Sequence, residues 1–157
     1  MRVEITNRAG EVIAHAQVDD CDAPLVRNRK WILATNGGCR YAVTTVDGRQ
    51  LLMHRILLGL KTNDRHVDHI DGDGLNNTRS NIRVVSHAEN MQNRRLHRNN
   101  TSGYRAVSFD KKNKKWRARV QLNGRTNNVG TFPTPEAAGE AAARWRRENM
   151  PYAVETR

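Results

Sequence analysis

Residues 66–90, HVDHIDGDGLNNTRSNIRVVSHAEN, gather three histidines, three aspartates and four asparagines into 25 positions. DHIDGDGLNNTRSN is rich in the residues that favour loops, because Gly, Asn and Asp accept turn conformations and bond their own backbone. IRVV after it has the β-branched character of a short strand. SHAEN then reads as a helix start. Ser86 can cap it and Glu89, three residues on, completes a capping box, with the helix continuing through NMQNRRL. The segment is therefore expected to run strand, loop, strand, helix.

Hydrolysing a phosphodiester requires an attacking water, a group to take its proton, and positive charge near the scissile oxygens. Hard divalent ions such as Mg²⁺ prefer oxygen ligands and keep several waters, so one carboxylate and one amide oxygen can suffice. Asp68 can supply the carboxylate, His69 a neutral imidazole base, and Asn90 the second oxygen. In an extended strand Asp68 and His69 point to opposite sides. A bend is thus required, for which the Gly72/Gly74 loop provides. Other polar residues of the stretch have plainer readings. Asp71, Asp73, Asn76 and Asn77 read as loop-formers, His66 as an exposed or satisfied strand residue, and His87 as solvent-facing. His54 either touches DNA or is buried against the central helix.

The wider composition frames this chemistry. The chain has 157 residues, with sparse aliphatic and aromatic side chains, which suits several small cores better than one large one. Its +11 charge is uneven. Residues 1–60 carry 8 basic and 6 acidic side chains, 61–90 carry 4 and 5, and 91–157 carry 15 and 5. A basic half beside an acidic centre points to a polyanionic partner, nucleic acid first. Cys21 and Cys39 form no CxxC, which argues against a disulfide framework or a thiolate zinc site; two reduced, buried thiols are expected. No apolar run is long enough to span a membrane, LLMHRILLGL being broken by His54 and Arg55, and the N-terminus lacks an apolar signal core. A cytoplasmic protein is expected.

Upstream, RVEITN, EVIAHAQV, KWILATN, YAVTTV and QLLMHRILL read as strands. Asn7–Gly10, Asn36-Gly37-Gly38 and Asp47-Gly48 punctuate them, the last as a two-residue hairpin turn. Downstream, RRLHRNNTSG reads as a basic linker, and YRAVSF, KKWRARVQL and TNNVGTF as three strands joined in part by Asn123-Gly124. In the middle strand Trp116, Ala118, Val120 and Leu122 alternate with Lys115, Arg117, Arg119 and Gln121, which separates an apolar face from a cationic one. Trp116 shares the apolar register and reads as core, not as a base-stacking aromatic. TPEAAGEAAARWRREN opens with Thr134 as N-cap and Pro135 at the first helical position. Its alanine stripe suits a helix lying close on a small sheet. Arg144, Arg146 and Arg147 read as a solvated helix face.

The central segment resembles the HNH nucleases, over roughly residues 50–95. His69 in VDH matches the family's first His, the general base. Asn81 in SNIRVV, twelve residues later, matches the central Asn, whose side chain bonds across the loop and steadies the histidine. Asn90 in AEN, nine further on, matches the third signature position, a metal ligand. Asp68 matches the aspartate that completes the metal site in the Asn-ending subgroup typical of phage and intron homing enzymes; LLMHR and DGDGLNN also look like that subgroup. The resemblance implies a ββα-metal (His-Me finger) core and one Mg²⁺ or Mn²⁺ ion per active site. Residues 101–149 resemble the ethylene-response-factor (apetala-type) DNA-binding domain through GYRAV, WRARV, VGTF and EAAGEAAARW, with Ala106 where that family has glycine. This second likeness implies DNA contacts from Arg105, Lys115, Arg117, Arg119 and Arg125. Arg94, Arg95 and Arg98 of the linker are candidates to track the backbone.

The expected molecule is an α+β protein in four parts. A strand region of N-terminal β-hairpins (1–49) precedes the ββα-metal nuclease (50–95), a basic linker (96–103), and a three-stranded antiparallel sheet packed on one helix (104–152). The expected activity is hydrolysis of phosphodiester bonds at a recognised double-stranded DNA site, nicking included, by a monomer that needs no protein partner or membrane. A sequence-specific DNA-binding regulator with an inert nuclease centre is the alternative.

Overall fold

The computed structural model describes residues 1–60, 65–93, 96 and 99–153. They form two compact units that meet in sequence between His87 and Ala88.

In the first unit β1 (Arg2–Thr6), β2 (Val12–Gln17), β3 (Ile32–Asn36), β4 (Cys39–Val46) and β5 (Arg49–Leu52) make one sheet in the order β2-β1-β3-β4-β5. A short helix α1 (Ala23–Val26) lies between β2 and β3. Asp47 and Gly48 both take positive φ, +49° and +73°, as the tight β4–β5 hairpin demands. The expected strand QLLMHRILL is only half a strand. β5 stops at Leu52, and Met53–Leu57 form a helical turn, α2. Met53, His54 and Leu57, at helical spacing, are the residues it buries; alternation would have sent His54 and Met53 to opposite faces.

Next come β6 (His66–His69) and β7 (Ile82–Val85), a two-stranded antiparallel pair, and a helical turn α3 (His87–Asn90). A single 3₁₀ turn, Met91–Asn93, follows α3, so the helix expected to run on through NMQNRRL ends earlier within the described residues. The core packs Val3, Ile5, Ala16, Val26, Trp31 and Ala42 from the N-terminal strand region with Met53, Leu57, Leu75 and Ile82. Residues on both sides of position 50 thus share one apolar interior. Arg79 reinforces it: its guanidinium pairs with Asp22 at 2.7 Å and bonds the Leu57 carbonyl at 3.0 Å, while its backbone N–H donates to Asp19 at 2.7 Å.

The second unit is a three-stranded antiparallel sheet of β8 (Val107–Asp110), β9 (Lys115–Leu122) and β10 (Arg125–Phe132), with β9 central, and helix α4 (Pro135–Asn149) packed against it. Ala118 and Val120 meet Ala138 and Ala142 in its core, with Trp116 and Leu122 packed at the margin. The cap forms as the sequence predicts: the Ala137 N–H donates to Thr134 Oγ1 at 3.3 Å. Gly139 has a specific steric task. A Cβ there would stand 2.3 Å from Cδ1 of Tyr104, so glycine is what lets that ring come so close to the helix. Arg146 corrects the expected solvated face. It is buried at 3% exposure, and its guanidinium donates to the Arg105 carbonyl at 3.0 Å.

Candidate active site

β6 presents Asp68 and His69 at its C-terminal end, both only 6% exposed. The chain turns immediately afterwards: the Gly72 N–H donates to the His69 carbonyl at 2.8 Å, and Gly72 takes φ +73°. Asp68 faces Arg83 directly across the strand pair, and Oδ2 accepts from Nε at 2.9 Å and from Nη2 at 2.6 Å.

His69 sits in an aromatic corner. Its ring lies 5.0 Å from that of His54 and 6.0 Å from that of Tyr41, and the His54 and Tyr41 rings are 5.9 Å apart. Gly74 makes the corner possible, since a Cβ there would meet the Arg40 carbonyl at 2.3 Å and the Tyr41 ring at 2.6 Å. Burial pushes the His69 imidazole below its ordinary value, against the opposing pull of its bond to Asn77 and of the nearby Asp71, Asp68 and Asp73. His54 is buried too, at 6% exposure. Burial first, then His69 and Arg55, push it down to about 3. Both rings are therefore neutral near pH 7, and a neutral imidazole is what a proton acceptor must be.

The loop between the strands is a hydrogen-bonded scaffold. Asn81 accepts from the Asp71 N–H at 3.0 Å and donates to Asp71 Oδ1 at 2.9 Å and to the Asn76 carbonyl at 2.7 Å. Its own carbonyl takes the Ile70 N–H at 2.9 Å. The direct contact to His69 comes from a residue read from sequence as a plain loop-former: Asn77 Oδ1 lies 3.3 Å from His69 Nε2. Loop composition hid it, because Asn77 stands among Asp, Asn and Gly residues of the kind that turn a chain. Asp71, Asp73 and Asn76 bond within the loop as expected.

Asn90 is the half-buried last residue of α3. No group of three His, Cys, Asp or Glu side chains able to hold a metal occurs among the described residues. Asp68 offers a carboxylate and Asn90 an amide oxygen, each a hard donor of the kind Mg²⁺ or Mn²⁺ takes; Asp68 belongs to the first unit and Asn90 to the second. His66 and His87 are exposed, their rings 5.1 Å apart.

Of the residues expected to meet DNA, Lys115, Arg119 and Arg125 are exposed. Arg117 is half-buried and paired with Asp110, and Arg105 donates to the Gln92 carbonyl. Arg94, Arg95 and Arg98 lie outside the described residues. None of the described helices is long and apolar enough to cross a membrane.

Comparison with known proteins finds likenesses over parts of the chain. Residues 60–92, which carry Asp68, His69, Asn77, Asn81 and Asn90, match the family model described as HNH endonuclease. The chain is 34% identical over 122 residues to a protein of Acanthamoeba polyphaga mimivirus named uncharacterized HNH endonuclease L560, covering 74% of this chain and 60% of that protein. It is 36% identical over 63 residues to Protein 3.8 of Escherichia phage T7, covering 40% of this chain and 52% of that one. The chain thus spans between half and two thirds of the length of these relatives. No solved structure matches it.

Proposed function

We propose that this protein is a DNA endonuclease of the HNH homing type, hydrolysing phosphodiester bonds at a recognised double-stranded site. What supports the reading most is His69: a buried, neutral imidazole beside a carboxylate, in a segment that matches the HNH endonuclease family. His69 takes the proton of the attacking water. The new bond joins that oxygen to phosphorus, and the bond to the 3′ oxygen breaks, leaving 5′-phosphate and 3′-hydroxyl ends. Asp68 and Asn90 would hold a single Mg²⁺ or Mn²⁺, which supplies positive charge at the scissile phosphate and leaving oxygen. Asn81 keeps the loop, and hence the end of β6, in place.

The second unit is the reader in this proposal, as an ethylene-response-factor-like module. Lys115, Arg119, Arg125 and, once drawn from their internal partners, Arg117 and Arg105 would contact the major groove and phosphates. Ala106 departs from the glycine of that family while taking φ +66°, a conformation that favours glycine. The protein would act as a monomer in the cytoplasm of a bacterial or phage-infected cell.

Arg83 favours a second reading. Its guanidinium pairs with Asp68 Oδ2, so the carboxylate expected to hold an ion already has a cationic partner, as it would in a DNA-binding regulator whose centre is inert. Incubation of the protein with a randomised duplex library, with Mg²⁺ and with EDTA, separates the two. The nuclease reading expects discrete new ends only with the ion; binding without cutting under both conditions would favour the regulator.

A further inference from the structure

Asn77 is 0% exposed, yet the polar atoms of its side chain all have partners. Nδ2 donates to the Leu75 carbonyl at 3.1 Å and to the Gly74 carbonyl at 3.5 Å. Its backbone N–H donates to the Gln17 carbonyl on the edge strand β2 at 2.8 Å, and the Gln17 N–H donates to the Leu75 carbonyl at the same distance. Two carbonyls on one side can be met only by the NH₂ end of the amide. The oxygen is therefore the atom that faces His69. An oxygen cannot donate, so the nitrogen opposite it must. His69 Nε2 is accordingly the protonated nitrogen, and the lone pair of the neutral ring resides on Nδ1. Reversing the ring would bring Cε1 to Asn77 and forfeit the bond, while the packed rings of His54 and Tyr41 restrict that motion.

We propose that Asn77 is a positioning residue for His69, fixing its Nε2–H tautomer and ring orientation so that Nδ1 is the nitrogen that receives the proton. The Gly74 and Leu75 carbonyls hold the side-chain amide from behind and the Gln17 carbonyl holds the Asn77 backbone N–H, which ties the tautomer to the docking of the loop on the first sheet. The tautomer rests on the Asn77 bond to a neutral ring; its catalytic use rests on the nuclease reading above. A mere loop-former in this place would need no particular end of its amide turned toward the imidazole.

The test is ¹⁵N NMR of the full chain labelled at histidine, at mildly alkaline pH and without metal or DNA, with the His69 signals identified by their loss in His69→Ala. The expected spectrum shows Nε2 protonated and Nδ1 bare. In Asn77→Ala that preference relaxes to a mixture, and kcat for duplex cutting falls by ~10–100-fold with KM for DNA little changed. A His69 that carries its proton on Nδ1 in the unmodified protein overturns the proposal, whether or not the variant folds. So does a folded Asn77→Ala that keeps either the tautomer or the kcat. Nε2 protonation in a protein that cuts no duplex would uphold the assignment of Asn77 and remove the nuclease reading instead.

Discussion

His54 carries a cost of burial that becomes visible in acid. Its folded-state value, about 3, lies below the 6.5 of a free imidazole, so the unfolded chain takes up the proton first. The stability tied to keeping His54 neutral is complete above about pH 6.5 and is lost as the pH falls toward 3. His69 is shifted in the same direction and adds to the slope. Urea unfolding should show the first unit weaker at pH 5 than at pH 7 by about 2 kcal/mol, and His54→Phe should flatten that difference; an unchanged slope would mean that His54 is not held neutral by burial. At the same scale, the sequence named Asp68, His69, Asn81 and Asn90 because their spacing is a pattern of residue types. It did not name Asn77, whose role is set by which end of an amide faces which nitrogen, and no spacing carries that information.

Among the elements, the loop joining β6 and β7 does the most positioning, and Gly74 is its tightest point. Gly74→Ala would drive a Cβ into the Arg40 carbonyl, which is backbone and cannot step aside, and into the Tyr41 ring. A loss of about 2–3 kcal/mol is expected in chemical denaturation, and a fully stable variant would show that the approach is not close. Gly139 faces two opposed effects. Alanine gains about 1 kcal/mol of helix propensity there, but its methyl would overlap the Tyr104 ring, at a cost of about 1–3 kcal/mol. Gly139→Ala should therefore lower the melting temperature; a rise would mean that the ring moves freely. Period-two alternation made β9 legible, and Thr134-Pro135 made the start of α4 legible. QLLMHRILL failed because a short apolar run looks alike as strand and helix, and burial of Met53, His54 and Leu57 decided in favour of helix. Arg146 was misread because its cationic neighbours on α4 are the usual signature of a wet face, whereas the Arg105 backbone carbonyl holds it.

For the whole molecule, the +11 charge and its concentration in residues 91–157 argue for a nucleic-acid partner, while the HNH match covers only residues 60–92. The proposed function places binding and chemistry in different parts of the chain, and they should then separate under mutation. The most direct measurement compares the protein with His69→Ala on a randomised duplex library in Mg²⁺, reading both the bound fraction and the sequenced ends. Loss of cutting with DNA affinity nearly intact is the expected result. Undiminished cutting by His69→Ala, or equal loss of affinity and cleavage, would contradict the assignment of this imidazole as the base.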